Sequence, residues 1–155
     1  MIDSASNHIE LNLKGAKPRV SVEGALGIVA KVHFDGERVR PTKGGWMVPL
    51  RKGGEQKLIL RGFLPGFQRF EWDGEPVLKL GAHVKLPERI VMFSPVLLFV
   101  MAWFMVPIAL LLFFMNITVV KNSLMPRAVR IVLPVINTVA GAVALFAFVG
   151  LLSAQ

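Results

Sequence analysis

The chain has 155 residues, 54% of them hydrophobic, a formal net charge of +8 and no cysteine. The lack of cysteine excludes a disulfide framework, thiolate chemistry and cysteine–zinc sites. The basic balance does not mark a nucleic-acid binder: residues 1–89 hold 15 Lys/Arg against 10 Asp/Glu, scattered without an aromatic-interleaved patch, and Lys121, Arg127 and Arg130 fall in one short loop.

Met1–Glu10 is polar and has no basic stretch running into an apolar core, so it does not read as a signal peptide. Residues 9–14 (Ile-Glu-Leu-Asn-Leu-Lys) alternate apolar with polar, the period of a half-buried strand. Residues 19–23 alternate again, and 26–34 is richer in β-branched residues and reads as a central strand. Asp35-Gly36 predicts a tight turn into 37–40. Short strands follow at 46–50, 57–61, 67–72 and 77–80, separated by Gly-containing turns, and Asp73-Gly74 repeats the Asp-Gly signal. This spacing predicts a small antiparallel β-sandwich over residues 1–85, with no helical period before residue 86. Its core is expected from Val20, Val22, Ile28, Val32, Phe34, Val48, Leu58, Leu60, Phe67 and Val77.

No charged residue occurs from Ile90 to Val120 or from Ile131 to Gln155. About 20 helical residues cross a hydrocarbon core of roughly 30 Å, so both runs are long enough. The expectation is a transmembrane helical hairpin: helix one over 86–120, a basic loop over 121–130, helix two over 131–152. Ser94-Pro95 offers a start for the buried part of helix one, and Pro107 is expected to kink it mid-span. Asn116 and Asn137 reach similar depths in such a hairpin and are placed to bond to one another. Asn137, Ala140, Gly141, Ala144 and Ala147 form a stripe of small residues, open either to the first helix or to a partner helix.

Lys79, Lys85 and Arg89 precede the first apolar run and are candidates for anionic lipid headgroups. The loop carries three basic residues as well, so charge does not choose the topology of a two-span hairpin. A cytoplasmic N-terminal domain is expected, with both termini inside and the loop outside, because translocating so long a charged tail without a signal is uncommon. That places the chain in a bacterial inner membrane.

Val-His-Phe-Asp-Gly-Glu at 32–37, Met-Val-Pro-Leu at 47–50, Gly53-Gly54, Leu-Ile-Leu-Arg-Gly-Phe at 58–63 and Pro65-Gly66-Phe67 follow the run of a PEGA-like repeat. The resemblance covers residues 32–67 and lacks the family's Pro-Glu-Gly-Ala sequence. It implies a small β-sandwich that binds envelope surfaces without catalysis, often outside the cytoplasm. The whole chain is similar in layout to small two-span proteins of actinobacterial type, a similarity that implies no activity.

Chemistry is sparse. His8, His33 and His83 are far apart in sequence, Asp35 and Asp73 serve turns, and neither a phosphate-cradling loop nor a nucleophile elbow occurs. No catalytic residue, metal or cofactor is expected. Trp46, Phe63, Phe70 and Trp72, beside loops or on an alternating strand, read either as ordinary sandwich core or as candidates for a partner-binding surface. These readings make the chain a non-catalytic accessory or scaffolding subunit of a membrane protein complex, bound to lipid and taking no nucleic acid or small-molecule substrate. The alternative is a stand-alone lipid- or envelope-binding module with its β-domain outside.

Overall fold

Eight strands and four α-helices follow one another in a computed structural model that describes residues 8–101 and 103–153. The polar leader at 1–7 lies outside the described residues. The chain divides into two compact units, one ending at Ala82 and the other beginning at His83.

The first unit is all β. Strands β1 (His8–Leu11), β2 (Val20–Glu23), β3 (Lys31–Phe34) and β4 (Glu37–Val39) form one antiparallel sheet in chain order. Strands β5 (Trp46–Pro49), β6 (Glu55–Arg61), β7 (Arg69–Trp72) and β8 (Glu75–Lys79) form a second in the same order. The strand expected over 26–34 is shorter, because residues 26–29 turn ahead of β3 and Ile28 goes with them. Pro49 and Pro76 lie on edge strands, where a missing N–H leaves no central ladder broken. One edge is covered: Lys17 N–H donates to the Pro49 carbonyl at 2.8 Å, and Arg51 N–H to that of Gly15 at 3.0 Å.

Three strands of the second sheet begin 38 residues after their counterparts in the first, from 8 to 46, 31 to 69 and 37 to 75, while β6 begins earlier, at Glu55, and contains the positions 58–61 that correspond to β2. The same offset superposes Gly15 on Gly53, Gly24 on Gly62 and Asp35-Gly36-Glu37 on Asp73-Gly74-Glu75. The backbone reason is visible at the Asp-Gly pairs: φ is +50° and +91° at 35–36, and +54° and +81° at 73–74, as a two-residue type I′ hairpin demands. At the Gly24 position a Cβ would lie 2.5 Å from the Val29 carbonyl oxygen, so only glycine fits.

Both sheets contribute to one core. Val20, Val22 and Val32 from the first meet Trp46, Val48, Leu58, Phe70 and Trp72 from the second, with Leu11, Leu13 and Leu80. Phe34, Leu60 and Val77 pack against it half-buried.

The second unit is helical: α1 (Leu86–Met92), α2 (Val96–Met101), a 3₁₀ turn (Trp103–Met105), α3 (Val106–Lys121) and α4 (Arg127–Ser153). The single helix expected over 86–120 is therefore broken, and its prolines are the reason. Pro95 cannot continue α1, whose end closes with i−3 bonds from Phe93 N–H to Ile90 and from Ser94 N–H to Val91. Pro107 stands in the first turn of α3, where its missing N–H costs nothing, so it starts a helix instead of kinking one. The helix expected over 131–152 begins earlier, at Arg127, and runs through Pro134. Among the described residues α4 alone is long and apolar enough to cross a membrane.

The broken run doubles back. His83, just ahead of α1, reaches the carbonyl of Lys121, the last residue of α3, with Nε2 at 3.0 Å. A carbonyl only accepts, so the proton of that imidazole is on Nε2. Both α1 and α2 pack on α3 and α4.

Candidate functional site

The end of the helical unit where α1 begins and α3 meets α4 gathers its charge. Glu88, the sole acidic residue after Glu75, is buried there. Its Oε2 accepts the Lys85 backbone N–H at 2.6 Å, capping the start of α1. Its Oε1 lies 3.6 Å from Arg127 Nε and 3.6 Å from Arg130 Nη1. Arg130 is largely buried and Arg127 half-exposed. One carboxylate thus ties α1 to the first turn of α4, about 40 residues on.

Lys121 is fully buried at the same end.

Deeper in the unit the polar groups face inward. Ser94 Oγ and Thr138 Oγ1 are 2.7 Å apart, and Thr138 also donates to the Pro134 carbonyl at 2.9 Å. Asn137 Nδ2 donates to Asn116 Oδ1 at 3.1 Å, with Asn116 fully buried. Such a bond contributes about 1 kcal/mol between helices in lipid. Asn137→Ala is expected to lower the unfolding free energy of the helical unit in mixed micelles by that amount, and Val139→Ala, on the exposed face of α4, by less.

The outward surface is apolar. Leu97 on α2, Ile108, Leu111 and Phe114 on α3, and Val132, Ile136, Val139, Val143 and Phe146 on α4 are exposed. On α4 the buried positions Pro134, Thr138 and Leu145, with half-buried Gly141, recur at helical spacing. The small-residue stripe splits across these faces. A Cβ on Gly141 would meet Leu112 at 3.0 Å and Leu98 at 3.2 Å, so that glycine serves packing within the chain. Ala140 and Ala144 are exposed, and Ala144 lines an apolar recess of about 280 Å³ with Phe104, Met105, Ile108, Gly141 and Leu145.

The aromatic surface expected on the β unit is largely interior. Trp46, Phe70 and Trp72 are buried. Trp46 and Phe70 rings sit 5.8 Å apart. The indole N–H of Trp46 donates to the Val39 carbonyl at 2.9 Å, and that of Trp72 to the Lys14 carbonyl at 3.2 Å. Both tryptophans thus satisfy their polar atom inside the core. Phe63 alone of the four is fully exposed, at the Gly62–Gly66 corner.

Lys79 belongs to the β unit, on β8, whereas Lys85 and Arg89 are exposed on the helical unit. The histidines are less isolated than their spacing suggested. His8 and His33 rings meet edge to face at 5.5 Å, and His33 Nε2 lies 3.1 Å from Glu23 Oε2. Strand pairing brings them together, with His8 opposite Glu23. Among the described residues no three His, Asp or Glu side chains converge as a metal site. Glu71, buried beside Phe70, pairs with Arg61 at 2.9 Å and Arg69 at 2.6 Å, which makes it a structural ion pair. No known protein family, curated protein sequence or solved structure matches the chain.

Proposed function

We propose that this protein is a non-catalytic membrane component whose helical unit is embedded in the bilayer of a bacterial inner membrane. Its duplicated β unit is then a binding module for a membrane protein complex. One observation carries the membrane reading: the helical unit has its polar side chains inside and its apolar side chains outside. A soluble helical unit buries the reverse set, because water rewards exposed polar groups and lipid does not. The accessory role rests on the β unit. It carries a core of its own and exposes Phe63 on a Gly-bounded corner, a group suited to anchoring a partner. The PEGA-like resemblance of residues 32–67 favours the same kind of work, surface binding without chemistry.

The test is alkaline carbonate extraction of native membranes, then affinity purification of the tagged chain in mild detergent. Retention in the pellet and a stoichiometric membrane partner, lost in Phe63→Ala, are expected. Release into the supernatant would overturn the membrane reading. A chain purified alone with lipid would replace the accessory role by that of a lipid- or envelope-binding module.

A further inference from the structure

The path of the helical unit carries more than its composition does. The charge-free run from Ile90 to Val120 would have to place its two ends on opposite faces of a bilayer if it crossed once. Its ends lie together instead. His83 touches Lys121, and Glu88 of α1 touches Arg127 and Arg130, which follow α3. The chain goes out through α1 and α2, reverses at the 3₁₀ turn and returns through α3. At about 1.5 Å per residue α3 spans roughly 24 Å, short of a roughly 30 Å hydrocarbon core, whereas α4 spans about 40 Å. The reversal packs against Gly141, Ala144 and Leu145, so α4 continues past it for only two turns or so.

Charge follows this path. Lys85, Arg89, Lys121, Arg127 and Arg130 all stand at the end where the run begins and finishes. Residues 103–107 at the reversal hold no charged side chain, and neither does the sequence from 131 to 155. The tie between the two flanks of a linear hairpin becomes an asymmetry, with both flanks of the returning run at one end, and basic residues beside a membrane segment mark the cytoplasmic face.

Resting on the membrane reading above, we infer that residues 86–121 form a re-entrant hairpin entering and leaving through the cytoplasmic leaflet. On this reading α4 is the one crossing, and the exposed cations Lys85, Arg89 and Arg127 seat on that leaflet's anionic headgroups. Lipid headgroups fit because the cations ring the foot of an apolar surface, at the depth where phosphates lie, and each contributes about 1 kcal/mol there. The exposed apolar backs of α2, α3 and α4 then face acyl chains.

The native chain has no cysteine, so single cysteines report sidedness without background. Lys52→Cys, Ser123→Cys and Ser153→Cys are labelled in intact cells with a membrane-impermeant maleimide, and again after permeabilisation. Labelling of Ser153→Cys from outside is expected, with Lys52→Cys and Ser123→Cys reacting only after permeabilisation. Labelling of Ser123→Cys alone from outside would restore a linear two-span hairpin and overturn the inference. Labelling of Lys52→Cys and Ser123→Cys from outside, with Ser153→Cys protected, would overturn the cytoplasmic seat. In the Lys85→Ser/Arg89→Ser background a share of Ser123→Cys is expected to become accessible from outside, and an unchanged pattern would overturn the headgroup role of those two cations. Loss of the protein from carbonate-washed membranes would be a failure of the membrane reading itself, read separately from the labels.

Discussion

Phe70→Ala is expected to melt the β unit on the order of 20 °C below the parent chain. Phe70 is fully buried on β7, opposite Leu60 and Leu78, with its ring against Trp46. Deleting a buried phenyl ring costs about 3–5 kcal/mol, part lost transfer energy and part cavity. For a unit of this size each kcal/mol moves the midpoint by about 4–8 °C. The cavity is expected to stay open, because the neighbours are held by two sheets and by the hydrogen-bonded indoles of Trp46 and Trp72. Tryptophan fluorescence during heating reads the transition, since two of the chain's three tryptophans lie in this core. Phe63→Ala removes the same ring from a fully exposed site and is expected to change the stability by no more than about 0.5 kcal/mol. A Phe70→Ala chain that melted with the parent would show that this ring is not in the core.

Glu88→Ala is expected to loosen the helical unit by about 3 kcal/mol. The substitution removes the acceptor of the Lys85 N–H and, among the described residues, the one anion facing Arg127 and Arg130. Removing one partner of a buried ion pair costs about 3–5 kcal/mol, because the remaining charge stays desolvated and unmatched. The lower figure applies here, because Arg127 is half-exposed and recovers solvent. Unfolding in mixed micelles measures the loss. Adding Arg130→Met to the Glu88→Ala chain is expected to recover part of it, since the stranded cation is then gone. Additive losses in the double variant would show that Glu88 and Arg130 do not interact.

The two effects mark different kinds of information in the chain. The strands were legible because their signals are local: period-two alternation in Ile9-Glu10-Leu11 or Trp46-Met47-Val48, and Asp-Gly pairs whose backbone accepts positive φ. Val20, Val22, Val32, Val48 and Leu58 were readable as core for the same reason. Alternation says which residues share a face, not which face is buried. Phe70 and Trp72 alternate with Glu71, yet all three are buried, since Arg61 and Arg69 neutralise the carboxylate. The aromatic pair therefore read as core or surface alike, and the structure places it in the interior. The 38-residue repeat is faint in the sequence because it is kept in turn glycines and strand positions, while the core side chains diverge, Val32 against Phe70 and Phe34 against Trp72.

Sequence alone determined that the chain pairs a β unit with an apolar helical unit, because apolar run length and turn chemistry are properties of neighbouring residues. It also placed Asn116 and Asn137 at one depth, since both are counted from the same loop. Only the tertiary structure decided the direction of the first apolar run. Hydropathy is a sum and has no direction, so a run that crosses and a run that returns read alike. The return is decided by His83 on Lys121 and by Glu88 on Arg127 and Arg130, contacts between residues about 40 positions apart that no local pattern encodes.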